Sequence, residues 1–429
     1  MLSLVAILLF LGLFSGISIY VALAAPAFIA ILVQHIPLEV LGQQMFNGLD
    51  KFALMAIPFF ILAANVMGKG GLAKRILDVA NLIAGKYYGG TAIATVLACM
   101  FFGALCGSSP ATVVAIGSLV YPALLEAGYD KKFSMGLVCA ASSIAIVIPP
   151  SITMIVYGSV TGASVGGLFM GGVGPGVLMG LLMMVYCYFY AKKKDIRMTV
   201  EYTPQERRKM LLESTWAMGV PVIIIGGIYG GVFTPTESAT VSAVYAIIVG
   251  MFVYKAMNWK DLLQVSIDSA VTTAQILMLV SAACVLSWVF TVGQLPQVVG
   301  GVMGTFQQSA ILTLLAMNVV LIIAGMFMDS APFILLLAPL FYPIAQKLGI
   351  SNVHLGIIMT MNGALGMFTP PFGLNLFVGM NVFKEKFLPV AKSVIPYCLI
   401  TVVAILIVTF LPDIAMWLPT KAYGPAILR

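Results

Sequence analysis

The residues in this chain that can do chemistry are few, and most stand beside helix breakers inside apolar sequence. Ser108, Ser109 and Thr112 occur in G-S-S-P-A-T, and Ser151 and Thr153 follow the adjacent prolines Pro149 and Pro150. A second set reads alike: Asp329 and Ser330 lie in M-D-S-A-P, and Asn362, Thr369 and Asn375 surround Pro370 and Pro371. Hydroxyls, amides and a carboxylate are oxygen donors for a small hard cation and hydrogen-bond partners for a polar solute. A proline pair lacks two N–H donors and breaks the helix, which frees carbonyls such as those of Ala145 and Ile146. In a bilayer, freed carbonyls persist only where they face protein, water or an ion. A lone Ser or Thr in a membrane helix is usually satisfied by its own backbone, so the coincidence with breakers is what singles these out. An intramembrane carboxylate costs about 3 kcal/mol unless compensated, which makes Asp329 a functional candidate by default.

The elements that position these groups must cross a membrane. Apolar residues make up 61% of the 429-residue chain and charged residues 9%; a soluble globular protein carries about a quarter charged residues. An all-α polytopic membrane protein is expected, surrounded by lipid. No cleavable signal peptide is evident, because the first apolar run, Leu2 to Val33, has no basic leader. The net charge of +7 does not indicate nucleic acid, since the basic residues fall in short loops between apolar spans, as the positive-inside rule requires. The six cysteines lie inside apolar segments without CxxC spacing and read as buried free thiols. His35 and His354 stand apart from any ligand cluster, so no resident metal or cofactor is expected.

The two site sets repeat at a fixed spacing. Pro370 follows Pro149 by 221 residues, and at that offset Ser109, Tyr121, Pro122, Gly128, Pro149, Pro150, Gly158 and Pro175 match Ser330, Tyr342, Pro343, Gly349, Pro370, Pro371, Gly379 and Pro396. Breakers recurring in register mark an internal duplication. The first copy is read as residues 1–191: two short spans within Leu2–Val33, a span at Phe52–Met67, an amphipathic arm helix at 72–86, a re-entrant hairpin at 91–126 and a proline-broken span at 134–160. The arm's apolar face is Leu72, Ile76, Val79 and Ile83, which suits either the membrane interface or a connecting arm. Residues 192–213 are read as a basic cytoplasmic linker. The second copy, 214–412, has spans at Trp216–Phe233, Ser238–Tyr254 and Leu262–Phe290, a hairpin at 310–346 and a broken span at 353–382; 413–429 is read as a tail.

Lysines decide the relative orientation of the copies. Asp130-Lys131-Lys132 follows the first hairpin where the second copy has Ser351-Asn352-Val353, and Ala163-Ser164-Val165 follows the first break where the second copy has Lys384-Glu385-Lys386. Basic residues mark opposite ends of equivalent spans, so the repeats are inverted. Two hairpin tips and two broken spans then converge near the midplane, presenting helix N-termini to anions and C-terminal carbonyls to cations. Glu237, in T-P-T-E, is read as a helix cap before an ion ligand.

Four stretches carry a resemblance: I-P-P-S-I-T-M-I-V-Y-G, G-G-V-F-T-P-T-E-S-A, G-M-F-M-D-S-A-P and T-P-P-F-G-L-N-L-F-V-G. They closely resemble the large membrane subunit of tripartite ATP-independent periplasmic (TRAP) transporters, over essentially the whole chain. The resemblance implies a sodium-coupled, elevator-type importer in the bacterial inner membrane, working with a small four-helix membrane subunit and a periplasmic substrate-binding protein. It also implies that the family's hairpin-tip and break residues fall on Ser108, Pro150, Thr153, Asp329, Pro371 and Asn375. Together with the donors above, the expected sodium-binding set is Ser108, Ser109, Pro150, Thr153, Asp329, Thr369, Pro371 and Asn375. The expected substrate-binding set is Ser108, Ser109, Thr112, Ser330 and Asn362. The first tip, A-L-C-G-S-S-P-A-T-V, looks more like sialic acid members than C4-dicarboxylate members, so sialic acid is the favoured organic acid and a C4-dicarboxylate the alternative. An ion channel remains a competing class, although channels usually build filters from repeated subunits. No nucleophile with its base, HExxH or phosphate loop points to an enzyme.

Overall fold

A computed structural model describes residues 2–84, 88–197, 203–295 and 309–424. Among them no strand forms beyond an isolated bridge between Tyr88 and Arg197, and the architecture is helical throughout. In chain order the first half contains α1 (Leu2–Phe14), α2 (Ile19–Val33), α3 (Glu39–Leu49), α4 (Ala56–Lys69), α5 (Leu72–Ala84), α6 (Gly90–Cys106), α7 (Ser109–Ala115) and α8 (Gly117–Glu126). It continues with α9 (Lys131–Ser143), α10 (Ile152–Thr161) and α11 (Val165–Lys193). The second half contains α12 (Pro204–Pro221), α13 (Gly227–Tyr229), α14 (Pro235–Ile248), α15 (Trp259–Val292), α16 (Ala310–Gly325) and α17 (Ser330–Lys347). It ends with α18 (Asn352–Gly366), α19 (Leu374–Phe383), α20 (Phe387–Ser393), α21 (Ile395–Phe410) and α22 (Asp413–Tyr423). Five of the described helical stretches are long and apolar enough to cross a membrane unbroken.

Both hairpins and both breaks are present. α6 turns into α7 through Gly107 and Ser108, and α16 turns into α17 through Met326–Asp329. The limb after the first tip is not straight: α7 and α8 meet at 51° around Ile116. Helix α9 gives way to a 3-10 turn at Ile144–Ile146 and resumes as α10 only after Pro149 and Pro150, while α18 and α19 are separated at Pro370 and Pro371. The X-Pro bonds Pro149–Pro150 and Pro370–Pro371 are cis. Contrary to expectation, the Ile146 carbonyl is not left free, because Ser151 Oγ donates to it at 2.6 Å. The hydroxyl that follows the prolines satisfies the acceptor they expose.

The broken spans run antiparallel. At one end, Lys131 at the start of α9 pairs with Glu385 just past α19 at 2.7 Å. At the other, Asn352 at the start of α18 accepts from Tyr157 Oη at 2.7 Å and donates to the Thr161 carbonyl at 3.3 Å, both at the end of α10. The start of each broken span thus meets the end of the other, which is the arrangement the lysines require of inverted copies.

Two segments differ from the sequence reading, and a third resolves an alternative it left open. The linker 192–213 is largely helical, because α12 starts at Pro204; residues 198–202 lie outside the described set. Thr203 and Glu206 form a reciprocal capping box there, with the Thr203 N–H donating to Glu206 at 2.8 Å and the Glu206 N–H to Thr203 Oγ1 at 3.3 Å. The tail 413–429 is not loose: α22 packs on α11 with Ala415, Met416 and Pro419 buried, and only 425–429 fall outside the described residues. The arm helix, described from Leu72 to Ala84, buries Leu72, Ala73, Ile76, Ala80 and Ala84 between α6 and α12 and leaves Ile83 exposed. Its apolar stripe is therefore used against protein, as a connecting arm; Gly85 and Lys86 are not described.

The helices sort into two groups. α4 packs along α14, and α15 along α2, α3 and α4. In the other group, α7 packs on α9 and α19, α17 on α10 and α18, and α11 on α6, α18 and α22. The arm α5 and the contact of α15 with α17 join the groups.

Candidate functional site

Each hairpin presses on the break of its own repeat. A Cβ on Gly107 would overlap the Pro150 carbonyl oxygen, and Gly107 holds φ at +57°, so this tip requires a residue without a side chain. In the second repeat Gly325 and Gly366 meet backbone to backbone, and a Cβ on Gly366 would lie 2.6 Å from the Gly325 carbonyl carbon. Gly366 is the counterpart of Ala145, against whose Cα a Cβ on Gly103 would lie at 2.6 Å. The same close approach is thus built twice.

Side chains tie each tip to the opposite repeat. Ser109 at the first tip donates to Asn375 Oδ1 at 3.0 Å, and Asn375 Nδ2 donates to Ser109 Oγ at 2.7 Å and to the Cys139 carbonyl at 2.8 Å. Thr153, just after the first break, donates to Ser330 Oγ of the second tip at 3.1 Å. Asp329 caps α17, accepting from the Ser330 N–H at 2.6 Å and from Ser330 Oγ at 3.3 Å. Ser108 stands at the N-cap of α7 without a side-chain bond to the helix, and it lines the cavity between the two tips.

A cavity of about 210 Å³ lies between the tips. Its wall includes Ser108, Ser109, Thr153, Asp329 and Ser330, so both tips and the first break share one chamber. Three helices, α7, α10 and α17, begin at this wall, and their positive dipole ends favour an anion, although Ser151 and Asp329 already accept one N–H each at the starts of α10 and α17. Pro150 is buried beneath the first tip, whereas Pro371 is exposed and outside the cavity. The two breaks are therefore unequally covered; the second contributes Met367 to the chamber wall and is tied to the first tip by the Asn375–Ser109 bridge.

Three expected residues are placed elsewhere. Thr112 Oγ1 donates to the Ser108 carbonyl at 2.8 Å and so shapes the tip without lining the cavity. Thr369 donates to the Leu365 carbonyl at 2.6 Å, inside its own helix end. Asn362 donates to Asn318 Oδ1 at 2.7 Å and to the Ile358 carbonyl at 2.9 Å, in a buried network toward α16 and α21. Glu237 completes a capping box with Thr234, the Thr234 N–H donating to it at 2.8 Å. The cavity also takes Thr272 and Gln275 from α15, which the sequence reading passed over. Their signal was available as polar residues recurring on one face of an otherwise apolar span. No group of three or more His, Cys, Asp or Glu able to hold a metal occurs among the described residues.

The family described as "Tripartite ATP-independent periplasmic transporter, DctM component" matches residues 2–414. The chain belongs to this family. It is similar to the isethionate TRAP transporter permease protein DctMQ of Oleidesulfovibrio alaskensis, 42% identical over 404 residues that cover 94% of this chain and 64% of that protein. The chain thus spans just under two thirds of that relative's length. It is also similar to the C4-dicarboxylate TRAP transporter large permease protein DctM of Vibrio cholerae, 40% identical over 408 residues and 90% of each chain. Among solved structures, the Alcanivorax borkumensis YdaH transporter shares the fold, with a TM-score of 0.64 at 16% identity over 91% of this chain and 90% of that one. This DctM-type chain is thus a multi-pass helical transport protein of the bacterial inner membrane. The inverted, elevator-type fold expected from sequence agrees with these findings.

Proposed function

We propose that this DctM-type permease couples sodium entry to import of a small organic acid delivered by a periplasmic binding protein, in complex with a small membrane subunit. The observation that carries this reading is the shared chamber: both hairpin tips and the first break face one cavity, with hydroxyls, one carboxylate and three helix N-termini at its wall. Sodium takes hard oxygen donors. Ser108, Ser109, Thr153, Asp329 and Asn375, with backbone oxygens at Pro150 and Pro371 and the nearby Thr369, form two donor sets on either side of the chamber. The family's own description supports the periplasmic component and independence from ATP.

For the solute, two readings stand. The relatives' names, isethionate and C4-dicarboxylate, and a cavity of only about 210 Å³ support a short dicarboxylate or sulfonate. The first tip, Ala104–Val113, favours a sialic acid. Ser330 and the hydroxyls at the first tip would contact either acid. The test is uptake of radiolabelled succinate, isethionate and sialic acid into proteoliposomes holding the full complex, across a sodium titration. Ser108→Ala removes one ligand, about 1 kcal/mol, and should weaken apparent sodium affinity about fivefold. Asp329→Asn removes charge from a confined site and should be more severe. Unchanged sodium affinity and rate in both variants would refute the ion sites, and uptake indifferent to sodium would refute the coupling.

A further inference from the structure

Helix α15 carries a line of polar residues that runs beyond the chamber. Gln264, Asp268, Thr272 and Gln275 are all exposed and recur every three or four residues, so they lie on one face. Gln264 Nε2 donates to Asp268 Oδ1 at 2.9 Å, and Thr272 Oγ1 donates to the Asp268 carbonyl at 2.9 Å. Gln275 makes no hydrogen bond to any described residue. The neighbouring face, Leu263, Ile267 and Val271, is also exposed but purely apolar. An Asp turned to lipid at this depth costs about 3 kcal/mol, so two exposed faces of opposite character on one helix face two different solvents.

The line leads somewhere. Thr272 and Gln275 line the chamber between the hairpin tips. The other end of α15 begins beside Lys69, which pairs with Asp261 at 3.7 Å, and close to Lys255 and Lys260. From Gln264 to Gln275 the helix rises about 16 Å, at about 1.5 Å per residue, which is half the thickness of a hydrocarbon core of about 30 Å. The polar line therefore spans the distance from the basic face to the midplane and stops where the tips are. Basic ends of spans mark the cytoplasmic side.

We propose that the Gln264–Asp268–Thr272–Gln275 face of α15 is the aqueous wall along which a hydrogen-bonding solute and its cations pass between the chamber and the cytoplasm. Gln275 is the first group met on leaving the tips. The inference deepens the transport reading and rests on it. Amide and hydroxyl groups exchange hydrogen bonds with a hydrated acid without trapping it, and Asp268 supports the passage of accompanying sodium while discouraging an anion from settling partway. Because α15 belongs to the group of helices with α2, α3 and α4, this wall stays in place when the hairpins move.

The test reads accessibility and needs no substrate, so its failure is distinguishable from a failure of sodium coupling. Gln264→Cys, Asp268→Cys, Thr272→Cys and Gln275→Cys are introduced singly, with Ile267→Cys and Val271→Cys as controls on the same turns and the wild-type chain as blank. A membrane-impermeant thiol reagent is applied to inside-out vesicles and to intact cells holding the full complex. The four polar positions should react in inside-out vesicles at least tenfold faster than the two controls, and tenfold faster than in intact cells. Equal rates at all six positions, no reaction at the four, or reaction only in intact cells would each overturn the proposal. Four independent sites keep the result decisive if one variant does not fold.

Discussion

Replacing Asn375 tests whether hydrogen bonds, as well as shape, hold the first hairpin tip to the second broken span. Asn375 is fully buried and makes three short contacts, two with Ser109 Oγ and one with the Cys139 carbonyl. Asn375→Ala strands the serine hydroxyl and the carbonyl, at about 1–3 kcal/mol for each, so a loss of about 2–6 kcal/mol is expected. Ser109→Ala strands the amide oxygen and should cost about 1–3 kcal/mol on the same basis. The double variant removes the pair together, and its loss should fall short of the sum. Interhelical hydrogen bonds in membrane proteins average about 0.6 kcal/mol and reach about 1.7; two contacts within one buried pair place this coupling at about 1 kcal/mol. The assay is equilibrium unfolding of the purified wild type, both single variants and the double variant in the same detergent. Additivity within about 0.3 kcal/mol would mean that the Ser109–Asn375 pair contributes nothing beyond packing, and the pinned tip would have to be abandoned.

Gly107→Ala must displace the first tip from the Pro150 carbonyl and adopt a left-handed backbone, which alone costs about 1–2 kcal/mol; uptake should fall more than tenfold while Ala104→Gly in the preceding turn stays active. Cysteine pairs at Lys131 with Glu385 and at Thr161 with Asn352 should each be joined by a short bifunctional thiol reagent, seen as a mobility shift; joining at neither end would contradict antiparallel broken spans. Asp130 accepts from Lys194 and from Tyr190, which hold its carboxyl below the ordinary value of 3.8. Its contribution is complete above that ordinary value and is lost as pH falls through the lowered one, so the Tm difference between wild type and Asp130→Asn should be constant from pH 8 to 5 and close only in stronger acid.

Much of the fold was legible because its decisive residues act locally. A proline pair breaks a helix whatever surrounds it, so the breaks at Pro149 and Pro370 and the 221-residue repeat could be read directly. The lysines at 131 and 384 report sidedness for the same reason, since charge in a short loop answers to the membrane rather than to a partner. The linker was misjudged because charge was weighed above capping: T-P-Q-E at 203–206 is a helix start, and the basic residues that follow lie on that helix. The packing of α22 was not legible, because Asp413–Tyr423 is short and its burial depends on where α11 lies. At the site, Ser108, Ser109, Thr153, Asp329 and Ser330 were found by their proximity to breakers. Asn362 satisfies the same criterion but spends its donors in a buried network with Asn318. Thr272 and Gln275 have no breaker beside them, and only the third dimension brings them to the tips.

Under the sodium coupling proposed above, the crossed bonds between the repeats would link the two ion sites. Ser109 belongs to the first tip but bonds the start of α19, and Ser330 belongs to the second tip but receives its bond from the start of α10. A cation that drew the first tip onto Pro150 would therefore also steady the second repeat, and a cation at the second tip would steady the first. Free-energy coupling of this kind is reciprocal. On that proposal the empty and doubly loaded forms would gain over the singly loaded one, sodium activation would be steeper than hyperbolic, and a partly loaded transporter, the form that would leak its gradient, would be kept scarce.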